Sequence, residues 1–161
     1  MRLASATMTN DPPTVNSMTK FSELSPAART LWAKSGDDLG HSLICHMLDV
    51  AAVTDAILAR ESDRTLTWIA ECFGLQSVDV VPWISALTGL HDFGKGSPGF
   101  QAKWLPGMEQ DRAAGLPFKP AALLADRHDM ASAGLLRSVL GGVVANASWV
   151  GAIAQALGAH H

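Results

Sequence analysis

Apolar residues recur at steps of three and four in nearly every segment of this chain that has a readable period, and no useful length alternates as a strand would. A chain patterned in this way buries its apolar stripes only by packing helix on helix, so the sequence predicts an all-α bundle. The clearest stripe is Leu43, His46, Met47, Val50, Val53, Thr54 and Ile57, one face of a helix over about 41–60 with His46 directed inward. Ser25-Pro26 supplies an N-cap and a first-turn proline for a helix through AARTLWAK, which Gly36 stops. Asp63 caps a helix carrying Leu66, Ile69, Ala70 and Phe73, with Gly74 at its end. A further apolar helix over 78–90, entered through Pro82-Trp83, delivers His91 and Asp92 at its C-terminal end.

Beyond Gly94, Ser97-Pro98 starts a short helix containing Phe100 and Trp104. The glycine and proline density from Leu105 to Pro120 predicts an irregular connection. Helix resumes over Asp126 to Leu140, with His128 in its first turn and Gly141-Gly142 as its end, and Ser148 caps a last helix running to Leu157. With 161 residues, 48% of them hydrophobic, the chain is one domain's worth of packed core. Residues 1–20 have no apolar run of signal-peptide length and are rich in Ser, Thr, Asn and Pro. They read as a disordered extension, leaving 21–161 as the folded unit.

A net charge of -3 excludes the global basic field that drives non-specific duplex binding, so contact with nucleic acid has to be local or through metal. Cys45 and Cys72 lack CxxC spacing and read as reduced thiols of a cytoplasmic protein, Cys45 as a small core residue. The uncharged run from Ser138 to Ala159 approaches membrane-span length, but Gly141, Gly142, Asn146, Ser148, Gln155 and Gly158 make it a poor lipid-facing helix. It reads as buried helix, and no membrane association is expected.

Each histidine has a reading without chemistry. His46 suits a hydrogen-bonded core position, and His128-Asp129 suits a helix start, where the dipole favours an acidic residue. His160-His161 suits the remnant of a purification tag, His41 a cap neighbour, and Asp49 a solvated position. Jointly they say more. His46, His91-Asp92, His128 and His160-His161 fall at ends or inward faces of consecutive helices, which is how bundles build metal sites. Imidazole and carboxylate ligands without cysteine suit iron, manganese, nickel, cobalt or zinc, and a carboxylate has two oxygens with which to bridge two ions.

The runs LWAKSGDDLGHSLICHMLDVAAVTDAIL, LTGLHDFGKGSPGFQAKW, RHDMASAGLL and GAHH, over about residues 31–161, resemble the N-terminal HD nuclease domain of the CRISPR-associated helicase-nuclease that works with Cascade in type I systems. The resemblance implies a helical HD-domain bundle holding two divalent transition-metal ions (iron, manganese, cobalt or nickel) and cleaving single-stranded DNA. It places His46, His91 and Asp92 on the first ion, and Asp92 as bridge with His128, His160 and His161 on the second. Lys95 matches the family's lysine after the His-Asp pair, where its charge would steady a phosphate beside Asp92. The implied partners are a Cascade-type surveillance complex and a helicase in cis or in trans; no Gly-x-x-x-x-Gly-Lys-Ser/Thr loop occurs in this chain. The family also has an aspartate beyond the paired histidines, so the chain reads as C-terminally truncated and one carboxylate short at its first metal.

Phe100, Trp104 and Trp83 are candidates for stacking on bases, against the commoner role of core aromatics. Two other functions fit the same motifs. One is an HD phosphohydrolase acting on nucleotides, for which Arg112, Lys119 and Arg127 are few and dispersed; the other is a truncated, non-catalytic interaction module.

Overall fold

The structure, a computed structural model, describes residues 20–37, 39–143 and 148–159. The expected disordered extension lies outside the described residues except for Lys20, as do His160 and His161. The described chain is helical apart from one small ribbon. Its elements are α1 (Pro26–Thr30), β1 (Trp32–Lys34), β2 (His41–Ser42), α2 (Leu43–Leu58), α3 (Asp63–Phe73), α4 (Val80–Gly89), α5 (Pro98–Gln101), α6 (Leu105–Ala113), α7 (Pro120–Leu123), α8 (His128–Val143) and α9 (Val150–Gly158). A tight 3-10 segment, Leu90–Gly96, joins α4 to α5 and is called the HD turn below.

The two expected central helices are α2 and α4, and they pack on one another. The main core is built on Leu87 of α4, Leu136 and Leu140 of α8, and Val150 and Ala154 of α9. Trp149 ties the last helix to the third by donating its indole N–H to the carbonyl of Phe73 at 3.0 Å. The uncharged run is divided between the end of α8 and α9, and no helix among the described residues is long and apolar enough to cross a membrane. Cys45 is half-buried and Cys72 exposed, so Cys45 is less enclosed than expected.

Several local expectations are corrected. α1 stops at Thr30 because Trp32 leaves the helix for a tertiary partner: its N–H donates to Oε1 of Gln101 at 3.1 Å, and the Gln101 amide donates back to its carbonyl at 2.8 Å. The freed segment pairs antiparallel with β2, Trp32 opposite Ser42. The cap of α3 is Ser62, whose hydroxyl accepts from the Thr65 amide, so Asp63 is instead the first helical residue. Trp104 falls outside α5, which ends at Gln101.

Leu105–Ala113 is helix, not irregular connection. Its proline lies in the first turn, where no N–H is needed. Its glycine lies where the helix presses on tryptophan, since a Cβ on Gly107 would come within 2.3 Å of Trp32 Cδ1. Gly141 and Gly142 do not end α8, which continues to Val143. Ser148 makes no cap; α9 starts after Trp149 without a side-chain cap.

Candidate metal centre

The centre forms where α2, the HD turn and the start of α8 meet. His46 projects from the first half of α2, and its Nε2 lies 2.9 Å from Oδ2 of Asp92. His91 and Asp92 arrive on the HD turn, as the sequence predicts, directly after α4. His91 Nδ1 lies 3.1 Å from the carbonyl of Thr88. A carbonyl only accepts, so Nδ1 is the donor in that bond and Nε2 is the nitrogen turned toward Asp92. It lies 3.2 Å from Asp92 Oδ2.

Asp92 is the focus. Only 3% of it is exposed, and its two oxygens are differently surrounded. Oδ2 has His46, His91 and the Lys95 ammonium, the last at 2.7 Å, while Oδ1 faces His128 Nε2 at 3.4 Å. His128 comes from the first residue of α8, its ring 5.1 Å from that of Phe100. The ligand atoms of His46, His91 and Asp92 lie within 4.8 Å of one another, a spacing one ion can gather.

The protonation states suit that use. Burial alone would raise the Asp92 carboxyl, yet the Lys95 hydrogen bond and the neighbouring His91 and His46 outweigh it and hold it down at about 2. Burial pushes the His46 imidazole below its ordinary value, against the pull of Asp92, and so favours the neutral ring that a metal requires. The donors present therefore fit a divalent transition-metal ion: an ionised carboxylate, neutral imidazole favoured at His46, and the Nε2 of His91 turned to the same carboxylate oxygen.

Of the residues singled out in the sequence, His46, His91, Asp92, Lys95 and His128 come together. Lys95 reaches Asp92 itself and also lies 5.5 Å over the Phe100 ring. The proposed stacking role does not suit Phe100, which is 8% exposed and packed 4.7 Å from Trp32. Trp104 packs edge-on against the same Trp32 at 5.6 Å. Arg127 is engaged with Asp129, whose carboxyl it holds well below the usual carboxylate range.

Sequence reasoning missed three supports. Ser132 and Gln101 brace the HD turn from α8 and α5. His41, read as a cap neighbour, pairs with Asp49 at 3.1 Å beside His46. None is marked by a motif: Ser132 and Gln101 act on backbone atoms of the turn, and His41 meets Asp49 across the start of α2; only the step from His128 to Ser132, one helical turn, hints that Ser132 shares the inward face.

A helical bundle that turns a His-Asp pair and two further histidines to one point is an HD-type domain. The family described as "Cas3, HD domain" matches residues 32–161, and the chain belongs to that family, one of CRISPR-associated nuclease domains. It is 52% identical over 92 residues to the "CRISPR-associated endonuclease/helicase Cas3" of Thermus thermophilus, a match covering 57% of this chain and 10% of that protein. The chain thus spans about a tenth of that curated relative. Among solved structures, the Thermus thermophilus Cas3 HD domain determined in the presence of Ni2+ aligns with a TM-score of 0.60 at 38% identity, over 85% of this chain and 50% of that one. A second, described as a CRISPR-associated protein, aligns with a TM-score of 0.72 at 35% identity, over 83% of this chain and 15% of that one.

Proposed function

We propose that this domain is a metal-dependent nuclease that cleaves single-stranded DNA in CRISPR interference, in the cytoplasm, fed by a helicase in cis or in trans and recruited by a Cascade-type surveillance complex. The observation that carries the reading is the convergence of His46, His91 and Lys95 on one oxygen of Asp92, with His128 at the other. In it His46, His91 and Asp92 would hold a first divalent ion, and Asp92, His128, His160 and His161 a second. Bound there, such ions supply the Lewis acidity that brings a water's pKa toward neutrality and offsets charge on phosphate oxygens.

The chain's own groups do the rest. Thr88 fixes the ring of His91, as a carbonyl partner does for many ligating imidazoles. Asp92 stays ionised across the working pH range because Lys95 stands beside it. Lys95 in turn brings a positive charge to the place where a phosphate oxygen would approach. The Ni2+ used with the Thermus thermophilus domain and the name of the curated relative support the metal class and the nuclease activity.

Elemental analysis of the purified protein, joined to an assay on circular single-stranded DNA, tests this. Manganese, cobalt, nickel or iron in the protein and cleavage that Asp92→Ala abolishes are the expected results. Hydrolysis of nucleoside triphosphates without DNA cleavage would replace the reading with a nucleotide phosphohydrolase. A metal-free, inert protein would leave an interaction module.

A further inference from the structure

We infer that Ser132 is a positioning residue that sets the separation between the two sides of the metal centre. Its hydroxyl is fully buried and uses both of its capacities on the HD turn: it donates to the carbonyl of His91 at 3.0 Å and accepts from the amide of Gly94 at 2.8 Å. Those two backbone groups bracket Asp92. The same serine stands one helical turn after His128 on α8, so a single side chain joins the segment carrying His91 and Asp92 to the helix carrying His128.

Backbone packing agrees. A Cβ on Gly94 would lie 2.0 Å from the carbonyl oxygen of His128 and 2.4 Å from the Ser132 amide. The turn therefore meets the helix with no room for a side chain, and the hydroxyl fixes the register of that contact. With this clamp in place, His128 Nε2 sits 3.4 Å from Asp92 Oδ1 while His46 and His91 hold Oδ2. Alanine at 132 removes both bonds at once, and with them the one side chain that ties the two ends of the Asp92 segment to α8, so the turn is free to shift against the helix. Any such shift moves Asp92 relative to His128.

The inference rests on the metal reading above, and cobalt as a probe keeps the two separable. Co2+ binding to the whole chain is followed by calorimetry and by the visible d–d absorption of the bound ion, for the unaltered protein, Ser132→Ala, Ser132→Thr and the core variant Leu140→Val, which touches no ligand. Outer partners of metal ligands typically carry about 10–100-fold in affinity. Ser132→Ala is expected to lose at least about tenfold and to shift the absorption band, Ser132→Thr to recover most of the affinity, and Leu140→Val to bind as the unaltered protein does.

A folded Ser132→Ala that binds Co2+ with unaltered affinity and spectrum overturns the inference while the metal reading stands. An equal loss in Leu140→Val also overturns it, since general destabilisation would then explain the effect. If the unaltered protein binds no Co2+, the metal reading falls and this inference with it. Should Ser132→Ala fail to fold, Ser132→Cys decides in its place, because the thiol keeps the volume and weakens both hydrogen bonds; unaltered Co2+ binding there is equally fatal.

Discussion

Asp92 gathers a lysine and three histidines around one carboxylate while remaining almost wholly buried. Removing the carboxylate leaves the Lys95 ammonium without its counter-ion, at a cost of about 3 kcal/mol. Asp92→Ala should lower the unfolding free energy of the metal-free protein, followed by urea titration, by an amount of that order, and should abolish Ni2+ binding, as calorimetry in matched buffers would record. The acid response follows from the same residues. The Asp92 carboxyl is lowered in the folded state to about 2 from an ordinary 3.8, so its stabilisation is complete above 3.8 and is lost as pH falls toward 2. His46, also lowered on folding, acts in the same sense, its share beginning to fade as pH falls below its ordinary 6.5. Stability of the metal-free protein should therefore decline in two stages on acidification, and Asp92→Asn should lack the second.

Gln101 shows how one side chain decides an element. Its amide donates to the carbonyls of Trp32 and Lys95 at 2.8 and 2.6 Å, and its oxygen accepts the Trp32 amide at 3.1 Å. Gln101→Leu keeps the bulk and leaves those backbone groups unpaired, a loss of about 3 kcal/mol that thermal unfolding would register. Because the glutamine is 69 residues from Trp32, no local pattern shows that the helix after Pro26 must stop at Thr30 and turn into β1. α2 and α4 were legible because their apolar stripes are local facts. α6 was not, since Pro106 and Gly107 signal a loop when read singly and find a helix start and a tryptophan contact only in the fold. At the site, side chains with chemistry were legible as histidines and an aspartate; Ser132 was not, because its role is to hold backbone.

The centre draws its described donors from three segments far apart in the chain: His46 on α2, His91 and Asp92 on the HD turn, and His128 on α8. The core of Leu87, Leu136 and Leu140 is contributed by α4, which leads into the HD turn, and by α8, which carries His128. Site and core therefore share α8 and the end of α4, and an ion seated on Asp92 would cross-link the HD turn and α8 to α2. Such an ion binds the folded chain and not the unfolded one, whose donors are scattered. By mass action, metal at one hundred times its dissociation constant adds about 2.7 kcal/mol. For a domain of this size that corresponds to a rise of roughly 5–10 °C in unfolding temperature. Scanning calorimetry with Mn2+, Co2+ or Ni2+ should show that rise over the protein in excess chelator, and Asp92→Ala should unfold at one temperature in both. A rise of equal size in Asp92→Ala would mean that the stabilising ion sits elsewhere, and α2 would then be held against the HD turn and α8 by packing without help from the site.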